Sequence, residues 1–342
     1  MIRIKVLAKL PVSAAHFGSM AKIPKDATFI LDPSAREYDW LLVYDDLPPR
    51  NSERFSMSDE VLACPPENTI LLTYEPSSIK VYGHDYASQF GMVMTSHEPN
   101  RLPHPLRRDV PPVSAWYYGD EMDLLPEPPL KTETLSFFAS GKSEGHTMHR
   151  LRYEFSERVH AHFRDRSQLF GRPHRFIEKK SEALDSFRYT LALENHLSPH
   201  HWTEKLSDAF LGYCLPFYAG CPNASDYFPT DSYVPIDMRD AQSAIETIEA
   251  SIDQDIYARR LPAIIEARRR VIEEYGIAQF ALAAIHAAET GRYVPRNGGR
   301  ILSRRRMRLR TPLAFLRYAY EKAENRRYFN GQMAAYRARI KD

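Results

Sequence analysis

Between Phe187 and Pro222 the sequence places a carboxylate and an amide, Glu194-Asn195, at the end of an apolar run, and after seven further residues opens a helical segment with Thr203-Glu204-Lys205. Those residue types, in that order, suit a phosphate-bearing ligand. A helix start at Thr203 presents free backbone N–H groups and the positive end of its dipole, and Lys205 adds a full charge at the same place. Glu204 can accept both hydrogen bonds of a ribose diol, as an acidic residue does in dinucleotide sites, and Asn195 stands at a strand's carboxyl end, where ligands enter open α/β sheets. Breaking a bond to such a phosphate leaves negative charge on the departing oxygen, which this set would stabilise. Arginine is the natural further clamp, because its planar fork donates two parallel hydrogen bonds. The segment HRLRYEF supplies Arg150 and Arg152 on a helix that follows a strand and the loop SGKSEGH, in which Lys142 is another cation. Thr-Glu-Lys is also an ordinary capped helix start, and either arginine could face solvent; the spacing to Glu194-Asn195 favours the ligand reading.

The elements that must hold these residues are legible from hydrophobic pattern. In the first part of the chain, short apolar runs at 2–7, 40–44, 69–74 and 92–95 read as buried strands of a mostly parallel sheet. Prolines recur between Pro99 and Pro129, so a connection over the surface is expected, with the linker near 120–131. Strands at 134–139, 167–170, 189–193, 215–219 and 233–236 then alternate with helices at 147–163 and 203–213, the pattern of a doubly wound sheet. Helices at 241–251 and 256–275 and a basic, helical-looking tail at 292–341 follow. The expected divisions are 1–125, 126–290 and 291–342.

The segment from Phe187 to Met238 resembles the signature of the family 10 glycosyltransferases, the α1,3-fucosyltransferase family, in its bacterial form. The residues that carry the resemblance are ALEN at 192–195, TEK at 203–205, LPFYAG at 215–220 and CPNASDYFP at 221–229, in the family's order. Trp202 stands where the family usually has Tyr, and His196 where it has Ser or Thr. The resemblance implies a GT-B fold, two Rossmann-like domains facing across a cleft, with the donor in the C-terminal domain and the acceptor in the N-terminal one. It implies GDP-L-fucose as donor and, as product, an α1,3- or α1,4-linked fucoside on a GlcNAc- or Glc-containing glycan such as a lipopolysaccharide O-chain; because Lys205, Arg152 and the helix start can carry the phosphate charge, an essential divalent metal is not expected. It places Glu194, Asn195, Trp202, Thr203, Glu204 and Lys205 at the donor, with Glu204 on the ribose and Lys205 on the phosphates, and it favours Arg152 over Arg150. A related transferase using another nucleotide sugar, or an inactive binding module, are the alternatives.

An inverting transferase also needs a base at the acceptor, and Glu75 in LLTYEPSSIK follows an apolar strand and precedes a turn. It aligns with a family glutamate that Asn usually follows, where this chain has Pro76; Glu98 and His97 are rival bases. Other signals are weaker. Asp253 and Asp255 fall at a helix boundary, and Pro199 breaks the helical spacing of His196, His200 and His201 that a zinc pair would need. No GxGxxG, GxSxG or P-loop sequence occurs.

The 342 residues, 43% hydrophobic and 26% charged, can bury a substantial core in two domains. Cys64, Cys214 and Cys221 lack metal-binding spacing and suit a reducing compartment. Lys9 and Pro11 interrupt the apolar N-terminus, and no run is long enough to span a bilayer, so a cytoplasmic location is expected. The tail mixes arginines with Leu, Phe and Tyr. It could lie on an anionic membrane, making the protein peripheral on the inner face, or pack against the body; nucleic acid is not an expected partner.

Overall fold

The computed structural model describes residues 1–19, 22–50, 53–138, 148–171, 174–288 and 293–340. The chain divides into two compact units, Met1–Val113 with Gly276–Arg327, and Ser114–Tyr275 with Tyr328–Asp342.

In the first unit the strands β1 (Ile2–Ala8), β2 (Ala27–Ile30), β3 (Trp40–Tyr44), β5 (Thr69–Leu72), β6 (Met92–Thr95) and β7 (Arg107–Asp109) form a parallel sheet in the order β2-β1-β3-β5-β6-β7. Both faces are covered, which is why these strands read as continuous apolar runs rather than alternating ones. Trp40, Leu42 and Tyr44 enter one core and Leu41 and Val43 the other. Ile70 and Leu72 part from Leu71, and Met92 and Met94 from Val93, in the same two-residue period. The helix α6 (Ile277–Ala287) supplies Ile277, Ala278, Ala281, Leu282, Ala284 and Ile285 to the first core. Burying that apolar face draws the chain back to the first sheet after residue 275, so the units do not follow the linear divisions expected at 125 and 290.

The basic tail has a structural role in this unit. Strand β13 (Arg300–Leu302) pairs antiparallel with β4 (Asp59–Val61), and Ile301 is fully buried in the second core. Asp59 draws Arg300 and Arg306 to the same edge. After α7 (Arg304–Arg308), the helix α8 (Pro312–Arg337) gives its first part to this unit, with Arg317 on Asp85 and Glu324 3.1 Å from Arg101. From Arg304 on the tail is mainly helical, as its pattern suggests, whereas 293–299 is irregular and turn leading into the short strand, and the tail packs against the first unit.

The second unit has its own parallel sheet, from β8 (Glu133–Phe138), β9 (Ser167–Phe170), β10 (Phe187–Leu193), β11 (Leu215–Ala219) and β12 (Val234–Pro235), in the order β12-β11-β10-β8-β9. Counted in chain order from β8 this is 2-1-3-4-5, a doubly wound order whose direction reverses between β8 and β10. The connecting helices are α2 (His149–Phe163) between β8 and β9 and α3 (Glu204–Leu211) between β10 and β11. Beyond β12, α4 (Ala241–Asp253) and α5 (Ile256–Glu273) contribute Ile245, Ile248, Ile264 and Val271 to the buried interior. Among the described residues no helix is long and apolar enough to cross a membrane. All three cysteines are buried thiols.

Candidate functional site

Open doubly wound sheets bind ligands outside the carboxyl ends of their strands at the point where the strand order reverses. In the second unit that point lies between β8 and β10, and the residues singled out by sequence spacing converge there. Glu194 follows the last residue of β10, and its own N–H donates to Ala219 O at 2.8 Å, which keeps it on the edge of β11. Its side chain then turns inward and is fully buried. One carboxylate oxygen accepts Thr203 N–H at 2.8 Å, and both lie within 2.9 Å of Thr203 Oγ1. Thr203, in extended backbone, is the N-cap of α3 and accepts in turn from Lys205 N. The start of α3 is thus tied to the end of β10 by one acid.

Lys205 Nζ lies 2.8 Å from Glu204 Oε1, 3.0 Å from Thr203 Oγ1 and 3.5 Å from Glu194 Oε2. Burial works against the charge on Lys205, but Glu204 and Glu194 outweigh it and its pKa is raised. Burial also opposes ionisation of Glu204, yet Lys205 and Lys180 hold it well below the usual carboxylate range. For Glu194 burial prevails: its pKa is raised, with Lys205 opposing and the Glu204 charge adding to the rise. The geometry separates the acids, one ionised beside its lysine and one enclosed.

Arg152, on α2, lines a cavity with Phe138, Lys180, Thr190, Lys205 and Asp208. Its Nε is shut away from solvent with no hydrogen-bond partner among the described residues, and burial lowers its pKa while Glu194 and Glu204 pull the other way. Arg150 instead forms an exposed pair with Glu154 at 2.7 Å. Lys142 lies outside the described residues. Sequence spacing missed Lys180, whose ammonium binds Asp208 at 2.7 Å and stands 5.2 Å from the Phe138 ring centre. Asp208, one turn beyond Glu204, also accepts Tyr117 N and Tyr118 N. A lysine preceding a strand carries no signal of its own, and only the contact across to α3 reveals it.

Two further expected donor residues stand differently. Asn195 is half-buried directly after Glu194. Trp202 is 5% exposed and packs edge-on against Tyr227, Phe228 and Tyr275. That makes it part of the packing behind the α3 start rather than an open stacking surface. Gly220, after β11, admits no side chain: a Cβ would lie 2.3 Å from Tyr218 Oη and 2.6 Å from Glu194 Cγ.

In the first unit Glu75 lies beyond β5, which ends at Leu72 rather than at Tyr74. Its loop is held at successive points. Tyr74 N–H donates to Tyr82 Oη at 2.9 Å, and the Glu75 carbonyl accepts from His97 Nε2 at 2.9 Å, which places the imidazole proton on that nitrogen. The Ser77 carbonyl accepts from Asn325 Nδ2 at 2.8 Å, so α8 braces this loop, and Ser77 Oγ donates to Glu98. His97 is 2% exposed, whereas Glu75 is half-buried. The discounted acids stand apart: Asp253 pairs with Arg166 at 2.8 Å on the surface of the second unit, and Asp255 lies near Arg188.

No protein-family model matches the chain. A 144-residue stretch is 30% identical to a gorilla 4-galactosyl-N-acetylglucosaminide 3-alpha-L-fucosyltransferase, covering 39% of this chain and 38% of that protein. A 74-residue stretch is 30% identical to the Helicobacter pylori alpha-(1,3)-fucosyltransferase, covering 21% of this chain and 16% of that one. The matches therefore span well under half the length of these relatives. A crystal structure of an α1,3-fucosyltransferase with GDP superposes with a TM-score of 0.51 at 16% identity, over 86% of this chain and 92% of that one. The two Rossmann-like sheets are those of a GT-B glycosyltransferase fold. Within that class the matched stretches are similar to α1,3-fucosyltransferases.

The geometry of the second unit predicts that Lys205→Ala and Arg152→Ala each weaken binding of a nucleoside diphosphate by about 1–3 kcal/mol, the loss of a charge-assisted hydrogen bond. Titration calorimetry reads this directly, and unchanged affinity in Lys205→Ala removes that lysine from the phosphate site.

Proposed function

We propose that the chain is an inverting glycosyltransferase that moves L-fucose from GDP-L-fucose to a hydroxyl of a glycan containing N-acetylglucosamine or glucose. The observation that carries this reading is the convergence of Arg152, Lys205 and the start of α3 at the switch point of the second sheet, with Glu204 beside them. The names of the curated relatives support fucose as the transferred sugar and an α1,3 linkage.

In this mechanism Arg152, Lys205 and the amides of the α3 start hold the pyrophosphate, Glu204 takes the ribose diol and Asn195 contacts the donor. Glu75 accepts the proton of the acceptor hydroxyl as that oxygen attacks the anomeric carbon. The bond from that carbon to the phosphate oxygen breaks, GDP leaves with the electron pair, and configuration inverts once through an oxocarbenium-like transition state. Because the leaving group is a phosphate, a second carboxylic acid is not needed. The cations and N–H groups stabilise the charge that develops on it, so no divalent metal is needed either.

The reading also includes work at the inner surface of a membrane, on acceptors for cell-surface polysaccharide or lipopolysaccharide. Its support is a face of α8 on which Leu313, Leu316 and Tyr320 are 65%, 63% and 69% exposed at helical spacing, with Arg308, Arg310 and Arg317 near them in the sequence. Apolar and aromatic groups flanked by arginines suit an anionic bilayer surface.

Two outcomes follow. Glu75→Gln should keep donor affinity and lower kcat by about 10²–10⁴-fold, the usual range for a general base, while wild-type turnover persists in excess EDTA. Wild-type turnover by Glu75→Gln would move the base to Glu98 or His97, and loss of activity in EDTA restored by Mn²⁺ would contradict the metal-free mechanism. Leu313→Ser with Leu316→Ser should reduce co-sedimentation with vesicles of anionic phospholipid; equal pelleting of variant and wild type would contradict the membrane assignment.

A further inference from the structure

Among the described residues, the cations at the donor pocket of the second unit are Arg152, Lys180 and Lys205; Asp208 lines it with them, and Glu194 and Glu204 stand against Lys205. A nucleoside diphosphate sugar brings two negative charges into this enclosed cluster. In a region of low dielectric such an excess is costly, and a buried acid relieves it by taking up a proton.

The carboxylates are not equal candidates. Burial raises the pKa of Asp208 as it does that of Glu194, but Asp208 accepts from the Lys180 ammonium and two backbone N–H groups, and Glu204 is in direct contact with the Lys205 ammonium. Among the described residues Glu194 alone of the three has no ion pair shorter than 3.5 Å and no exposed surface. The groups around it are Lys205 and Glu204 from α3, Arg152 from α2, Tyr218 from β11 and Cys221 just beyond β11. Tyr218 and Cys221 are themselves buried, with pKa values pushed upward, and stay neutral. The Thr203 hydroxyl lies within 2.9 Å of both Glu194 oxygens but has one hydrogen to give. A protonated Glu194 can therefore donate to Thr203 Oγ1 from one oxygen and still accept Thr203 N–H at the other.

We infer that Glu194 is a positioning residue of the donor site: it does not touch the donor, it holds the start of α3 through Thr203, and it carries the proton that the site takes up when the pyrophosphate of a nucleotide sugar enters. This rests on the donor site proposed above. The direction follows from linkage. The incoming negative charge raises the pKa of Glu194 from its free-protein to its bound value, so binding takes up a proton between those two values. Affinity is full below the free value and falls by up to about tenfold per pH unit as pH rises through the window.

The test is titration calorimetry of the full chain with GDP-L-fucose and no acceptor, at one pH in two buffers of different ionisation heat, repeated across the neutral range. The pyrophosphate of a nucleotide sugar has no ionisation of its own there, so buffer-dependent heat reports protons bound by the protein. Uptake of between zero and one proton in wild type is expected, together with none in Glu194→Gln, whose amide reproduces the hydrogen bonds of the protonated acid. Growth of the protonated-carboxyl C=O infrared band on donor binding by wild type is the matching signature, and it serves if the variant does not fold. Tight binding without buffer dependence or without that band overturns the proposal and leaves the donor site standing. Uptake that persists in Glu194→Gln overturns the assignment to Glu194. Failure to bind any GDP-sugar overturns the donor site itself.

Discussion

The Glu194 carboxylate is the point on which the second unit's chemistry depends. Enclosed between β10, β11 and the start of α3, it sets where the N-cap Thr203 lies, and through Thr203 where the free amides of α3 and the Lys205 ammonium point. Removing one partner of a buried charge cluster typically costs about 3–5 kcal/mol, because the remaining charge is left without compensation. The same enclosure makes the site responsive to an anion. A phosphate site assembled from solvated surface lysines would bind with little orientation, whereas here the cations are fixed by acids whose own charge must readjust when a ligand arrives.

The first unit depends on a comparable constraint of packing. Its sheet is covered on both faces, and one cover is α6, a segment distant in sequence that returns to bury Ile277, Leu282 and Ile285 against strands β1, β3 and β5. The tail continues the return, adding β13 to the edge at β4 and laying Asn325 against the Ser77 carbonyl. Glu75 therefore sits in a loop held by Tyr82, His97 and the last helix at once. The base proposed at Glu75 would keep its position on such a loop without being buried.

Much of this was legible in the sequence because the governing patterns are local. The parallel strands announce themselves as apolar runs such as WLLVY at 40–44, and the ALEN and TEK segments mark a strand end and a helix start at a fixed separation. The resemblance favours Arg152 over Arg150, and the structure puts the first in the cavity and the second on the surface. What stayed hidden depends on contacts between distant residues. Lys180 pairs with Asp208 on a different element, α6 packs on the first sheet and β13 forms a separate two-stranded ribbon with β4, and Glu194 faces inward to Thr203 although its position beside Asn195 suggests a ligand contact. Trp202, placed at the donor by the resemblance, packs edge-on against Tyr227, Phe228 and Tyr275, all more than twenty residues away in sequence.

The central claim is that the switch-point site of the second unit serves transfer of fucose from a guanine nucleotide. Its most direct test is to incubate the purified chain with a panel of nucleotide sugars, including GDP-L-fucose, GDP-mannose, UDP-glucose and UDP-N-acetylglucosamine, without acceptor, and to quantify the nucleoside diphosphate released from each. Slow release of GDP from GDP-L-fucose, with the other donors at background, is the predicted result. Release only from another nucleotide sugar would assign a different donor, and binding of GDP-L-fucose with no release, even when glycan acceptors are added, would make the chain a binding module and contradict the account.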